Sequence, residues 1–248
     1  RYASEVPVRS GLQQLRKTPK APHNQSVLHW STHVEGGRKE FGFEDHHHNT
    51  VELLSFDEGS EALTVSSVGE VEVTETHGIV GHHIGPAPLW LYENQTALTK
   101  VGAGVRALVR GIAGETATER LHALMLSVQE AVAYEVGGSH PGWSAEDALA
   151  EGRGVCQDHA HVFISAARAM GHPARYVSGY LMLDDRVEQE AMHAWAEVHV
   201  DLLGWVGFDP SNGISPDTRY VRVATGLDYR DAAPVTGTRI GGTGETLS

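Results

Sequence analysis

The sequence predicts an α+β fold in which a β-rich first half precedes a group of helices and then an antiparallel sheet. Three observations lead to this prediction. Residues 1–73 are short extended segments broken by turn residues, the middle of the chain has apolar residues at helical spacing, and period-two alternation begins after residue 173. The 248 residues, 40% of them hydrophobic, allow one large or two modest domains.

The first half is expected to be an all-β domain that covers residues 1–80. It contains clusters of turn residues, such as Thr-Pro-Lys-Ala-Pro at residues 18–22. Residues 62–74 alternate apolar and polar side chains, as a half-buried strand does. Residues 78–88 are rich in glycine and proline, and we interpret them as a connector to a second domain over residues 86–248.

Apolar spacing and capping patterns predict three helices in the middle of the chain. Residues 101–112 have helical spacing, although two glycines lower their helix propensity. Residues 116–119 have the pattern of a capping box, and the apolar stripe behind it indicates a helix. Ser144 is expected to begin a shorter helix that Gly152 ends.

A fourth helix is predicted over residues 156–170, and it carries the only cysteine of the chain at its start. Gly171 and Pro173 are expected to end it, because glycine adopts the left-handed conformation after a helix and proline cannot continue one. The side chains expected on its buried face are Ala160, Phe163, Ile164 and Ala167.

An antiparallel hairpin is predicted after this helix. Residues 174–183 are rich in aromatic and β-branched residues and are expected to form a strand. Residues 192–202 alternate, with His193 on the polar face, and Leu203-Gly204 is expected to turn the chain into a strand over residues 205–209. The cysteine-bearing helix is therefore expected to pack against an antiparallel sheet.

Cys156 occupies a position that suits a nucleophile. It follows Gly152-Arg153-Gly154, where glycines permit a sharp turn and a close approach to a substrate. The first turn of a helix has unpaired N–H groups and partial positive charge, which stabilise a thiolate and could form an oxyanion hole. A lone helical cysteine is more often structural. The histidine and aspartate downstream favour the nucleophile instead.

His193 and Asp209 supply the other parts of an activated thiol. One ring nitrogen of His193 can reach the thiol while the other faces a neighbour. Asp209, held at a strand end by Pro210, would accept a hydrogen bond from the imidazole and fix its tautomer. The alternatives are a surface histidine, one of sixteen, and an ordinary Asp-Pro-Ser-Asn-Gly turn, which is compatible with the catalytic role.

The predicted hairpin brings Asp209 into the neighbourhood of His193 without pairing the two directly. A turn centred at Leu203-Gly204 leaves them several residues out of register. A bulge or a longer loop between the two strands would remove this offset.

Four segments resemble the bacterial transglutaminase-like superfamily in their order and in their local sequence. They are Gly154-Val155-Cys156-Gln157-Asp158, residues 173–180 (PARYVSGY), His193-Ala194-Trp195 and residues 204–213 (GWVGFDPSNG). The first 73 residues resemble the N-terminal β-domain that often precedes this core. That domain usually begins several residues earlier, and the chain opens at Arg1, so an upstream segment is expected.

The resemblance implies a papain-like core, with the cysteine-bearing helix packed on an antiparallel sheet, preceded by the all-β domain. It implies a triad of Cys156, His193 and Asp209. It also places four further motif residues around the site, namely Asp158, His161, Arg175 and Tyr180.

Two stretches depart from the superfamily pattern outside the triad. Arg16-Lys17 stands where an Arg-Leu pair is more usual, and His46-His47-His48 lies near the usual Phe-Gly-Asn. The motifs do not identify a second oxyanion donor, for which Gln157 and Trp195 are the candidates.

Two enzymatic interpretations use the same triad. In a hydrolase of peptide or protein amides, water resolves the thioester on Cys156. In a protein-glutamine transamidase, a primary amine does so, and solvent exclusion decides between the two. Hydrolysis is preferred because the sequence has no recognisable amine-binding feature, and neither interpretation needs a cofactor.

A third interpretation is a metal-binding or non-catalytic binding module, because the histidines include His46-His47-His48 and His82-His83. His159 and His161 are two residues apart and lie on different faces of a helix. A structural zinc also needs a fourth ligand that the sequence does not supply. No metal site is therefore assigned.

Composition limits the partners. With 32 acidic and 19 basic residues the net charge is −13 and no basic cluster stands out, which argues against nucleic acid and anionic membranes. No apolar run reaches the roughly 18 residues of a membrane span, and no signal peptide is visible. A single cysteine excludes an internal disulfide and suits a reducing compartment, so a cytoplasmic protein is expected, with its oligomeric state left open.

Overall fold

The computed structural model describes residues 2–3, 10–22, 24–60, 62–140, 142–182, 192–240 and 246–247. It confirms the predicted α+β class. The strands are β1 (Tyr2–Ala3), β2 (Ser10–Leu15), β3 (Gln25–Glu35), β4 (Gly37–Glu44), β5 (Thr50–Phe56), β6 (Ala62–Val73), β7 (Ile79–Gly81), β8 (Ala133–Tyr134), β9 (Arg153–Gly154), β10 (Ala174–Leu181), β11 (His193–Val200), β12 (Gly204–Phe208), β13 (Tyr220–Gly226), β14 (Val235–Ile240) and β15 (Thr246–Leu247). The α-helices are α1 (Ala103–Arg110), α2 (Ala117–Ala131), α3 (Ala145–Glu151), α4 (Cys156–Ala169) and α5 (Tyr229–Ala232), and a 3-10 helix spans Leu89–Glu93.

The first half of the chain contributes to two four-stranded sheets, ordered β15-β1-β6-β3 and β14-β2-β5-β4. Apolar side chains of both sheets share one small core: Leu15, Leu54, Phe56 and Leu63. Strands β14 and β15 come from the end of the chain and pair with β2 and β1. The division into domains 1–80 and 86–248 stays a prediction, and these two strands show that the chain returns to the first half.

The second half is built around a five-stranded antiparallel sheet ordered β13-β10-β11-β12-β7. Helix α4 packs on it, and Ala160 and Ile164 of the helix share a core with Ala194 and Ala196 of β11. Alanines on the strand leave room for the helix to approach closely. The opposite face of β11, predicted to be polar, is also buried, because Trp195 and its neighbours are covered by other parts of the chain.

The predicted connector over residues 78–88 is partly wrong, because Ile79–Gly81 forms β7 at the edge of this sheet. Gly204 explains how β7 fits there. A Cβ atom on Gly204 would lie 2.1 Å from the carbonyl oxygen of Gly81, so only glycine permits this pairing.

The hairpin between β11 and β12 turns earlier than predicted. Val200 pairs with Gly204, so the turn is centred on Leu202, which is fully exposed and has a left-handed φ of 71°. The β11–β12 ladder has a continuous register without a bulge. No bulge or longer loop intervenes, and the earlier turn leaves His193 and Asp209 only two residues out of register.

The predicted helix boundaries around the cysteine are confirmed. Thr116 and Ser144 form the capping boxes that begin α2 and α3. Gly152 ends α3 in the left-handed conformation, with φ of 66°, and β9 follows and pairs in parallel with β8. In the described part of the chain, no helix combines the length and apolarity of a membrane span.

Candidate active site

Cys156 is the first residue of α4, as predicted, and the turn around it is held by its neighbours. Val155 N donates to Asp158 Oδ2 at 2.8 Å, and the N–H groups of Asp158 and His159 donate to Val155 O at 2.9 and 3.1 Å. Among the described residues, the N–H groups of Cys156 and Gln157 have no backbone acceptor outside the helix. The helix therefore presents free donors beside a half-buried thiol.

The structure brings the three predicted triad residues together. Cys156 lies close enough to His193 to take part in setting the pKa of its imidazole. His193 Nε2 lies 2.6 Å from Asp209 Oδ2, and the Asp209 side chain is fully buried. Because Nε2 is engaged by the carboxylate, Nδ1 is the ring nitrogen left for the thiol.

Asp209 accepts hydrogen bonds at both carboxylate oxygens. Oδ1 accepts from Ser211 N at 3.0 Å, Ser211 Oγ at 2.6 Å and Asn212 N at 3.3 Å. Oδ2 accepts from Asn212 Nδ2 and from Tyr220 Oη, both at 2.7 Å, in addition to His193. The Asp-Pro-Ser-Asn-Gly segment is thus both an ordinary aspartate-centred turn and the support of the carboxylate.

Sequence reasoning missed three of these supporting residues. Ser211 and Asn212 lie inside the Asp-Pro-Ser-Asn-Gly segment, and the tendency of aspartate to accept N–H groups two and three residues ahead could have found them. Tyr220 belongs to another strand, β13, and no local pattern links it to Asp209.

Burial and hydrogen bonding move the pKa values of His193 and Asp209 in opposite directions. Burial alone would lower the pKa of His193, but its hydrogen bonds and charge interactions with Asp209 and Cys156 outweigh this and raise it to about 10. Burial alone would raise the pKa of Asp209, but the hydrogen bond and charge of His193, with the Ser211 and Tyr220 hydroxyls, lower it to about 2. At neutral pH the site therefore contains an imidazolium facing the thiol and an ionised carboxylate behind it.

Aromatic rings enclose the imidazole on the side away from α4. The rings of His193 and Trp195 are nearly parallel, with centroids 6.2 Å apart, and Tyr220 packs edge-on against both. Gly179 provides the space, because a Cβ atom there would lie 2.4 Å from Trp195 Cη2. The absence of a side chain at Gly179 therefore leaves space for the indole ring of Trp195, which belongs to another motif.

The two residues named as possible oxyanion donors lie in different surroundings. Gln157 follows the thiol, and its Nε2 is buried without a partner among the described residues. Trp195 is 2% exposed and packs between His193 and Tyr220. The identity of the second donor stays a prediction.

The other motif residues support the structure around the site. Asp158 caps α4 through Val155 N, and Tyr180 Oη donates to Lys17 O in the first half of the chain. Arg175 forms an ion pair with buried Glu197 and stacks over the Trp205 ring, 3.9 Å from its centroid.

The histidines near the thiol are held by the protein itself. His159 Nδ1 and Nε2 lie 2.9 and 2.8 Å from the carbonyl oxygens of Val155 and Val132. His161 is fully buried, and its Nε2 accepts from Tyr229 N. Burial, reinforced by the charge of Arg168, lowers the pKa of His161 to about 3 and keeps it neutral.

The His46-His47-His48 run lies at the turn between β4 and β5. His47 Nδ1 lies 3.1 Å from Tyr92 Oη, and His48 contacts Glu44. Within the described residues, no group of three or more His, Cys, Asp or Glu side chains is arranged to hold a metal ion.

Two family models match this chain. Residues 106–210 match the core of the transglutaminase-like superfamily, and residues 1–72 match the bacterial transglutaminase-like N-terminal region. The chain belongs to the transglutaminase-like superfamily. The Cys156 helix and the His193 and Asp209 strands all lie within the residues matched by the superfamily core.

Mycobacterial proteins are similar to this chain in sequence. An uncharacterized protein of Mycobacterium leprae is 28% identical over 251 aligned residues, which cover 95% of this chain and 89% of that protein. An uncharacterized protein of Mycobacterium bovis is 39% identical over 114 residues, which cover 42% of this chain and 36% of that protein.

A solved structure has the same fold. The crystal structure of a protein from Cytophaga hutchinsonii, titled "Putative Cysteine Protease", superposes with a TM-score of 0.79 at 20% identity, over 100% of this chain and 87% of that one. At this identity the similarity establishes the superfamily fold and no more.

Proposed function

We propose that this protein is a thiol-dependent acyl-transfer enzyme that hydrolyses peptide or protein amides. Cys156 is the nucleophile, His193 the proton carrier and Asp209 the residue that orients the imidazole. The observation that carries the proposal is the 2.6 Å contact between His193 Nε2 and Asp209 Oδ2, with the imidazole within interaction range of the Cys156 thiol at the first turn of α4.

The protonation state of His193 supports an acylation step in which the imidazolium is the acid, and we propose that Cys156 attacks as a thiolate. The raised pKa of His193, about 10, keeps its proton on the ring at neutral pH. The thiolate sulfur forms a bond to the substrate carbonyl carbon, and the carbonyl oxygen takes up negative charge. As the C–N bond breaks, His193 gives its proton to the leaving amine, and a thioester on Cys156 remains.

Deacylation returns the enzyme to its starting state. Neutral His193 removes a proton from water, and the water oxygen forms a bond to the thioester carbonyl carbon. The C–S bond then breaks, the acid product leaves, and Cys156 and His193 are again a thiolate and an imidazolium. Asp209 stays ionised throughout, because its pKa is lowered to about 2.

Free N–H groups at the start of α4 support stabilisation of the oxyanion. The N–H groups of Cys156 and Gln157 point along the helix axis toward its N-terminus and are not consumed by the capping bonds of Val155 O. We assign the Cys156 N–H as one donor, in a region where the helix dipole also favours negative charge.

Tyr134 lies near the thiol, where we propose that the substrate binds. It pairs with Gly154, two residues before Cys156, and its side chain is half exposed. Burial, and then the charges of Cys156 and Asp209, raise the pKa of its hydroxyl, so it lies within electrostatic reach of both groups. An extended substrate at Cys156 would lie against this ring.

Thiol labelling combined with a substrate screen tests the proposal. Iodoacetamide at neutral pH should alkylate Cys156 faster than free cysteine, with parallel loss of activity on a panel of peptide and glutamine-amide substrates. Cys156→Ala is the control, and it should neither label nor turn over substrate. Labelling as slow as that of a buried thiol in the native protein would contradict the proposal.

A further inference from the structure

Tyr220 reaches the proposed triad from the far edge of the sheet. It begins β13, which is separated from β12 by β10 and β11. Its hydroxyl nevertheless donates to Asp209 Oδ2 at 2.7 Å, and the residue is 4% exposed. The hydrogen bond is therefore buried, and it joins the start of β13 to the residue after β12, two strands that are not adjacent in the sheet.

We propose that Tyr220 is a positioning residue that fixes Asp209 and moderates the hydrogen bond between Asp209 and His193. This inference rests on the proposed function of the triad. Asp209 Oδ2 is shared among His193 Nε2 at 2.6 Å, Tyr220 Oη at 2.7 Å and Asn212 Nδ2 at 2.7 Å. Each donor withdraws negative charge from the oxygen. The Tyr220 hydroxyl therefore makes Oδ2 a weaker hydrogen-bond acceptor for the His193 imidazolium.

The surroundings hold the Tyr220 hydroxyl as a donor in one orientation. Its ring packs edge-on against Trp195, with centroids 5.4 Å apart at 86°, and lies 5.9 Å from the His193 ring. Burial, and then the Asp209 carboxylate, raise the pKa of Tyr220 well above its ordinary value. The hydroxyl therefore stays protonated and donates a hydrogen bond to Oδ2.

The other ionisable groups that face this cluster come from separate elements. Cys156 on α4 lies within electrostatic reach of His193, and Tyr134 on β8 lies within electrostatic reach of Asp209. Arg219, next to Tyr220, is paired with Asp217. Replacing Tyr220 by phenylalanine leaves all of these groups in the protein. It removes the donor to Asp209 Oδ2 and the acceptor of a 3.3 Å hydrogen bond from Asn212 Nδ2.

Histidine titration by NMR tests this role without a substrate. We would compare Cys156→Ser with Cys156→Ser/Tyr220→Phe in the full chain, because Cys156→Ser removes a group that raises the pKa of His193. Loss of the donor should raise the His193 midpoint by about half a pH unit, since a less solvated carboxylate accepts more strongly from the imidazolium. An unchanged or lowered midpoint would overturn the inference.

Tyr92→Phe in the same background is the matched control. Tyr92 is equally buried, and its hydroxyl bonds to His47 Nδ1 away from the site, so the His193 midpoint should not move. If Tyr220→Phe does not fold, 3-fluorotyrosine at position 220 replaces it. Its more acidic hydroxyl is a stronger donor and should lower the midpoint, and an unchanged or raised midpoint would equally overturn the inference.

The proposed function and the positioning role fail separately. Slow alkylation of Cys156 in the wild-type protein rejects the thiol enzyme, whatever the titrations give. Suppose that Cys156 is alkylated quickly and that Tyr220→Phe does not change the His193 titration midpoint. The proposed thiol enzyme is then retained, and the positioning role is rejected.

Discussion

His193 and Asp209 are diagonal neighbours across the β11–β12 ladder. Ala196 pairs with Phe208, so the next position along the ladder places Asp209 opposite Trp195 and two residues from His193. Diagonal neighbours in an antiparallel pair are within reach of long side chains, and Nε2 and Oδ2 meet at 2.6 Å. The pair forms without a bulge because the hairpin turns at Leu202.

Replacing His193 by alanine should lower turnover by about 10³-fold, because it removes the proposed proton carrier. His199→Ala is the matched control on the same strand, where the partly exposed ring packs edge-on against Trp205. We expect near-normal turnover from it. Wild-type turnover from His193→Ala on an authentic substrate would show that His193 is not the proton carrier.

Replacing Asp209 by asparagine should lower turnover less than His193→Ala, by roughly 10²-fold, because the imidazole stays in place but loses its orientation. The asparagine side chain would also be fully buried, and its NH2 group would face hydrogen-bond donors that suit a carboxylate oxygen. This mismatch should lower the free energy of unfolding by roughly 1–3 kcal/mol. Steady-state kinetics and urea unfolding measure the two effects. Turnover at the wild-type level would show that Asp209 does not orient the base.

Turnover of an amide substrate should fall as pH rises through about 10, where His193 loses its proton. Alkylation of Cys156 by iodoacetamide should persist above that pH, since alkylation needs the thiolate and no proton donor. Parallel pH profiles of the two rates measure the difference. A common fall of both rates near pH 10 would mean that the protein unfolds there, and circular dichroism at the same pH values checks this.

Acid should destabilise the wild-type protein more than Asp209→Asn. The pKa of Asp209 is lowered from 3.8 to about 2 on folding, so its contribution is present above pH 4 and is lost as pH falls toward 2. The shift corresponds to about 2 kcal/mol in the free energy of unfolding. Urea unfolding at pH 5 and pH 2 measures it, and an equal acid effect in both proteins would contradict the lowered pKa.

Replacing Gly179 by alanine should destabilise the fold by about 1–3 kcal/mol and reduce activity. The added Cβ would lie 2.2 Å from Val221 O and 2.4 Å from Trp195 Cη2, so the indole beside His193 must move. Gly42→Ala in β4 is the control, because the nearest atom to its Cβ is 3.6 Å away. Thermal unfolding that is the same for both variants would show that Trp195 does not need this space.

Acid release should exceed amine incorporation when a glutamine-containing peptide is supplied with a fluorescent primary amine at millimolar concentration. Without a dedicated amine site, the amine competes with bulk water and gains no effective concentration from binding. Mass spectrometry of the products gives the ratio. Incorporation that dominates over acid release, and that disappears in Cys156→Ala, would identify a transamidase instead.

The sequence determined the elements whose signals are local. The Thr116 and Ser144 capping boxes and the helix-ending Gly152 each act within a few residues of the helix end they define. Of these signals, Gly152 lies nearest to Cys156, and it indicates a new helix start at Cys156 without reference to packing. The order of cysteine, histidine and aspartate, read with the superfamily motifs, likewise identified the three side chains that the fold brings together.

Only the tertiary structure decided which groups meet. The hairpin register depends on how β12 pairs with its other neighbour, where Gly204 lies against Gly81, and local turn residues do not specify this. The hydrogen bond from Tyr220 to Asp209 crosses two intervening strands, and β14 reaches β2 from the opposite end of the chain. These contacts depend on burial and strand order, which act between residues far apart in the sequence, so no pattern of neighbouring residues could predict them.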